Sequence, residues 1–392
     1  MKKEVKSVKL YGYKRPDGLF GIRNYLLIIP TVICANEVAR RIANNIPGAK
    51  VIPHQHGCAQ LEPDAAQTFR TLAGFGLNPN VGGAVVVGLG CETVQAVELA
   101  EKIKSSGKPV HYLVIQESGG FVSSVEKGTE LGKEIYKQIK DLQREEMKFE
   151  DLMIGLECGG SDTTSGISAN PALGAASDLF VKEGATTVLS ETTELIGAEH
   201  ILERRAINEE VALKLDEIVK RMEKRVLDMG VSITGANPSP GNIRGGLTTI
   251  EEKSLGCIYK AGTSIVKEVV EYAERPKQKG LVIMDTPGND IESISGMIAG
   301  GCQLCIFTTG LGTPTGSPIA PVIKVCGNDE NYKKVSDFID INAGLIINGS
   351  KTVEEIAGMI YNMAVEVING KQTKCEILGV EEFSINRIGP TL

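Results

Sequence analysis

"GGAVVVGLGCETVQAVELAEKIKSSG", Gly82 to Gly107, decides the fold. A β-branched run stops at a Gly-Cys turn and a helical pattern follows at once, the strand–turn–helix step of a parallel sheet. The step recurs as "NYLLIIPTV" before "NEVARRIANNI", "KVIPH" before "PDAAQTFRTLAGF" and "VHYLVIQ" before "VEKGTELGKEIYKQIKDLQREE". A charged helix ending near Lys148 marks a boundary. A second series follows: "DLMIGLE", "TTVLSE", the amphipathic "NEEVALKLDEIVKRMEKRVLDMG", "GLVIMD", "LCIFTT", "APVIKV" and a closing helix "TVEEIAGMIYNMAVEVING". The expected fold class is α/β: two Rossmann-like parallel-sheet domains facing each other across a cleft, residues 1–148 and a larger 149–392 with Gly/Pro-rich active-site loops.

Bulk properties narrow the function. The 392 residues carry a net charge of −7 with no basic cluster, which argues against a nucleic-acid surface. The longest apolar run, "YLLIIPTVICA", is broken by Pro30 and is shorter than the roughly 20 residues of a membrane helix. No apolar segment follows the charged N-terminus, so no secretory signal is read and a cytoplasmic location is expected. Nine cysteines without such a signal predict core thiols or metal ligands rather than disulfides.

Several apolar runs end at a cysteine: Cys34, Cys58, Cys91 and Cys158. Parallel sheets bind ligands outside the carboxyl ends of their strands, so these thiols belong on the rims. "VIPHQHGC" adds His54 and His56, which share a side if the segment is extended. They face a metal or bind loop carbonyls, and the spacing matches no closed zinc pattern. "GCQLC" reads as core, with Cys302 and Cys305 in a strand entry.

"GLECGGSDTTSGISANP", Leu156 to Pro171, opens a strand end with two glycines and then offers hydroxyls before a helix start. It suits a polyol or carboxylate, and equally an N-capping loop. "TTGLGTPTGSP" is neither a Walker A nor a GxGxxG sequence, so a nucleotide site is not read. "NPSPGNIRGGLTT" places Arg244, and further on Lys253, where a carboxylate could be held. "LSETTELIGAEHILERRA" carries Glu191, Glu194, Glu199 and His200, as metal ligands, polyol contacts or helix-start acids.

Taken together, "GYKRPDGLFGIRNYLLIIPTVICA", "HQHGCAQ", "GLGCE", "ECGGSDTTSGISANPALG", "LSETTELIGAEHILERRA", "NPSPGNIRGGLTTIEEKSLG", "MDTPGND" and "FTTGLGTPTG" resemble the altronate/galactarate dehydratase family. The resemblance runs from about Gly12 almost to the C-terminus. It implies a metal-dependent hydro-lyase that removes water from a sugar acid such as altronate or galactarate, with Fe(2+) or Mn(2+) as cofactor. A carbon–sulfur lyase releasing sulfite from sulfolactate is the alternative within the family. A non-catalytic sugar-acid-binding module is the alternative of another class, and an iron–sulfur cluster the alternative cofactor. Family members carry a small N-terminal β-rich domain with a histidine motif, and this chain opens at the motif that follows it. A separate small β-rich subunit is therefore the expected partner, with homo-oligomerisation left open. "QESGGF" departs from the sugar-acid pattern and leaves the substrate open.

The candidate residues follow. Catalytic roles fall to His54, His56 and Lys253. Substrate contacts fall to Arg23, Asn24, Gly159, Gly160, Ser161, Asp162, Asn170, Asn237, Asn242, Thr308 and Thr309. Metal ligands are expected from Cys58, Cys91, Glu92, Cys158 and Glu191, because imidazole, thiol and carboxylate donors suit Fe(II) or Mn(II) better than magnesium.

Overall fold

Val81–Gly88 is buried at every position, as a strand covered on both faces must be. The computed structural model describes residues 8–233 and 236–392. Met1–Ser7, on which the N-terminal reading fell, and Thr234 and Gly235 of the long Gly/Pro-rich loop lie outside the described residues.

The strands are β1 (Leu10–Lys14), β2 (Phe20–Gly21), β3 (Tyr25–Pro30), β4 (Lys50–Val51), β5 (Val81–Gly88), β6 (Val110–Val114) and β7 (Glu145–Met147). They continue as β8 (Met153–Cys158), β9 (Thr186–Leu189), β10 (Val266–Val270), β11 (Leu281–Met284), β12 (Leu304–Thr309), β13 (Val322–Cys326) and β14 (Ile341–Asn342). Two parallel sheets result, ordered β4-β3-β5-β6 and β10-β11-β9-β8-β12-β13-β14. A small antiparallel sheet β2-β1-β7 joins the first series to the second.

The period of two along each strand sends alternate residues into different cores. In β3, Leu27 and Ile29 enter one core while Leu26 and Ile28 enter another. The core holding Leu27 and Ile29 also takes Val282, Met284, Cys305 and Phe307 of the seven-stranded sheet. Packed apolar side chains thus join the two sheets on that side. Asn78 and Asn80 fasten them further, their amides donating to Ile298, Cys302, Gln303 and Ile319 carbonyls at 2.8–2.9 Å. Cys302 and Cys305 lie in this core, where burial pushes both thiols up.

Two expectations are corrected and one strand went unread. The charged helix spans Phe121–Ile139, and Glu145–Met147 pairs with β1 instead of continuing it. β10 was not legible, because an edge strand with Lys267 and Glu268 half-exposed lacks an apolar run. The strand expected to run into "PHQHGC" stops at Val51. Among the described residues no helix is long and apolar enough to cross a membrane.

Candidate active site

β8 lies between β9, which follows it in the chain, and β12, on its other side, so the winding direction changes there. Crevices at such points collect the loops that leave the strands. Here a pocket of about 470 Å³ is lined from four rims: Cys158, Gly159 and Gly160 after β8, Glu191 and Glu194 after β9, Gly288 and Asp290 after β11, and Leu311 after β12. Asn237, Ser239, Asn242 and Lys253 close it from the long loop and the helix beyond.

That helix, Ile250–Cys257, starts at Thr249, whose side chain accepts the Glu252 N–H. Helical spacing puts Lys253 and Cys257 on one face, and the following turn Ile258–Ala261 brings in Lys260. Lys253 Nζ lies 2.7 Å from Glu194 Oε1 and donates to Asn237 Oδ1 at 2.8 Å. Behind it Lys260 pairs with Glu191, each side chain only 1% exposed. The Cys158 and Cys257 sulfurs are 3.5 Å apart, and Cys257 Sγ donates to Glu194 Oε2 at 3.4 Å.

Glu191 reaches Lys260 from a left-handed backbone, φ 66°, a conformation that costs a non-glycine residue roughly 1–3 kcal/mol. Its N–H donates to Thr286 Oγ1 at 2.6 Å and its carboxylate accepts the Cys158 N–H at 2.9 Å. The turn is therefore held from two strands.

Charge states divide sharply. Burial pulls both ammonium groups down, but interactions with the neighbouring acidic groups outweigh it, foremost Glu194 for Lys253, and the Cys158 thiol and Glu191 carboxyl beside Lys260. Both lysines stay cationic. Burial, then Glu191, raises Glu157 well above the carboxylate range; its Oε2 accepts from Ser190 and Ser293 while Oε1 is buried without a partner. Asp290 is pushed up to about 6, by burial first and then by Glu191.

The glycines have a steric reason. A Cβ on Gly159 would meet Asp290 Oδ2 at 2.1 Å and Phe307 Cζ at 2.6 Å, and Gly160 has φ +58°.

Of the residues expected from sequence, Lys253, Cys158, Glu191, Gly159, Gly160, Asn237 and Asn242 meet at this pocket. Ser161, Asp162 and Asn170 line an adjoining pocket of about 280 Å³ that shares Lys253. Asp162 Oδ1 there accepts the Thr164 and Ser165 N–H groups, and Asn170 ties Thr308 to the Gly256 carbonyl. Thr309 Oγ1 accepts the Gly312 N–H.

Arg23 and Asn24 lie elsewhere and are structural straps. Arg23 grips Glu376 with two bonds of 2.7 and 2.8 Å, and Asn24 bonds Arg15 and the Ile139 carbonyl. His54 and His56 line a separate pocket of about 250 Å³ with Phe383 and Ile385. Their Nε2 atoms bond the Pro30 and Ile385 carbonyls, and the His56 N–H donates to His54 Nδ1. Burial lowers His54 to about 4, so it is neutral at pH 7.

Sequence reasoning missed Lys260, Cys257, Glu157, Asp290 and Lys324. Lys324 sits fully buried in β13, its Nζ 3.4 Å from the Phe307 ring centroid and without a hydrogen-bond partner. Burial lowers it to about 8. A lysine inside the apolar run "APVIKVC" was the available signal.

Residues 12–140 match the model of the "D-galactarate dehydratase/Altronate hydrolase, second domain", and residues 149–391 that of the "D-galactarate/Altronate dehydratase, C-terminal". The chain belongs to the D-galactarate/altronate dehydratase family. It is 39% identical to the altronate dehydratase of Bacillus subtilis, over 97% of this chain and 78% of that protein. Identity to the altronate dehydratase of Escherichia coli is 38%, over 97% and 78%. The (2R)-sulfolactate sulfo-lyase subunit beta of Chromohalobacter salexigens is 35% identical, over 98% of this chain and 99% of that one.

The iron or manganese implied by the family resemblance can be tested on the donors. Cys58 and Cys91 are exposed on the rim of the four-stranded sheet, and Glu92 is committed to Thr31 and the Leu89 and Gly90 N–H groups. Cys158 and Glu191 belong to the other sheet and already face Cys257 and Lys260. Among the described residues no three His, Cys, Asp or Glu side chains are placed to hold a metal ion. Among the described residues these donors do not converge on a metal or an iron–sulfur cluster by themselves.

Proposed function

We propose that the chain is the catalytic part of a hydro-lyase acting on a sugar acid of the altronate or galactarate type, with the rim pocket of the seven-stranded sheet as its active site. The observation carrying this reading is a cation, Lys253, held by Glu194 in the lining of a pocket it shares with Asp290, whose carboxyl is pushed up to about 6, with the buried Lys260–Glu191 pair behind it.

Removing water from a 2,3-dihydroxy acid requires three events. The proton beside the carboxylate is taken, negative charge accumulates on the carboxylate as an enediolate, and the 3-hydroxyl leaves with a proton. The enol then becomes a 2-oxo acid. Lys253, held by Glu194 and Asn237, meets the substrate carboxylate and stabilises the enediolate. Lys260 adds positive charge from behind. Asp290, largely ionised at neutral pH, takes the carbon-bound proton and returns it to the departing hydroxyl. Asn237, held between Lys253 and Glu194, and Asn242, held by Ser239 and the Ser161 carbonyl, shape the wall on which the remaining hydroxyls would rest.

Expulsion of sulfite from sulfolactate is the second reading. It shares the first two events, and the near-complete mutual coverage with a sulfo-lyase beta subunit favours weighing it. That this relative is a subunit also supports a separate small partner for this chain, seated along the strand rims. The test incubates the chain, alone and with a candidate small subunit, with altronate, galactarate and sulfolactate. Release of 2-oxo acid from a sugar acid supports the dehydratase; sulfite release from sulfolactate alone replaces it with the second reading.

A further inference from the structure

The loop after β11 has two sides. Gly288 and Asp290 face the pocket described above, while Asp285, Thr286 and Pro287 line another, of about 220 Å³. Three arginines converge on it: Arg70 from the helix Glu62–Leu77, and Arg221 and Arg225 from the helix Glu209–Asp228. Two carboxylates, Glu271 and Asp285, share the lining, which leaves an excess of one positive charge.

The guanidinium donors are poorly used. Arg221 Nη2 bonds Glu271 at 2.6 Å and Asp285 at 2.7 Å, but its Nε is buried with no partner. Arg70 donates from Nε to the Tyr272 carbonyl at 2.8 Å and has no carboxylate partner among the described residues. Arg225 has neither a hydrogen bond nor an ion pair among the described residues. Each guanidinium has five N–H donors in a planar fork that matches an oxyanion. Like charges brought together with spare donors around one small cavity call for a counter-anion.

We propose that this pocket is a binding site for a small oxyanion, a phosphate or a compact di- or tricarboxylate, held by Arg70, Arg221 and Arg225. Binding draws Arg221 away from Asp285. Asp285 Oδ1 also accepts from Thr192 Oγ1 at 2.5 Å, and its neighbour Thr286 holds the Glu191 N–H at 2.6 Å. Occupancy is therefore felt at the turn that aims Glu191 at Lys260. Only this coupling rests on the active-site reading; the binding itself does not.

The test is isothermal titration of the full chain with inorganic phosphate and, separately, with citrate, at constant ionic strength set by chloride. One-to-one binding of either anion is expected, and the anion that binds identifies the source. Arg225→Gln and Arg70→Gln should each weaken it by about tenfold or more. Melting curves check that both variants remain folded. Lys333→Gln, an exposed lysine outside the pocket, should leave the anion affinity unchanged. No heat with either anion, or binding that Arg70→Gln and Arg225→Gln leave untouched, overturns the proposal.

Discussion

Lys253 Nζ and Glu194 Oε1 stand 2.7 Å apart with side chains 11% and 2% exposed. An ion pair so far from solvent is a weak source of stability, because desolvation offsets most of the attraction. It does fix a positive charge at one point of the pocket. That point is where a substrate carboxylate has to be held.

Removing the cation leaves Glu194 buried without its partner. Lys253→Met should therefore lower stability by about 3–5 kcal/mol, whereas changing Lys253 and Glu194 together to Met and Leu should restore much of it. Urea unfolding of the three proteins measures this. Equal destabilisation of the single and double variants would show that the pair is not coupled.

Turnover should depend on pH through Asp290. As the acceptor of the carbon-bound proton it must be ionised, so kcat/KM should fall as pH drops through about 6 and stay level above it. A pH–rate profile without an acidic limb near that value would remove Asp290 from this role.

Lys324 has the opposite signature, in stability rather than rate. Its ammonium is lowered from 10.5 to about 8 in the folded chain, so between those values the unfolded chain binds more protons. Stability should rise with pH over that window, by a few kcal/mol at most. Lys324→Met should be more stable at pH 7 and should lack the rise. Parallel stability curves for the two proteins between pH 8 and 10.5 would contradict the placement of this lysine.

Much of this arrangement could be read from sequence, for identifiable reasons. Apolar runs ending at Cys158, before Glu191, before Asp290 and at Thr309 marked the strands behind all four rims, because parallel strands present their loops at one edge. The roles of individual polar residues were less accessible. Arg23 looked free to bind a carboxylate, but its partner Glu376 is 353 residues away in the chain. The two histidines of "HQHGC" are likewise committed to carbonyls, one of them Ile385, which no local pattern announces. Lys260 and Cys257 were passed over because a lysine in "CIYKAG" shows its partner only once Glu191 is folded against it.

Gly159→Ala tests the close approach at the rim. The added carbon would fall 2.1 Å from Asp290 Oδ2 and 2.6 Å from Phe307 Cζ, and the ring is wedged under Lys324. Asp290 must then move, and a displacement of about 1 Å costs on the order of 10²-fold in rate. Overpacking should cost about 1–3 kcal/mol. Wild-type turnover in this variant would mean that Asp290 need not sit where it does.

The central claim, that the rim pocket performs the elimination, is tested most directly by 2-oxo acid release from altronate and galactarate under saturating substrate. Wild type should be compared with Asp290→Asn, together with the small subunit if the wild type requires it. The account predicts a loss of about 10²–10⁴-fold in kcat for Asp290→Asn, with the fold intact by circular dichroism. Unchanged kcat in Asp290→Asn would contradict it.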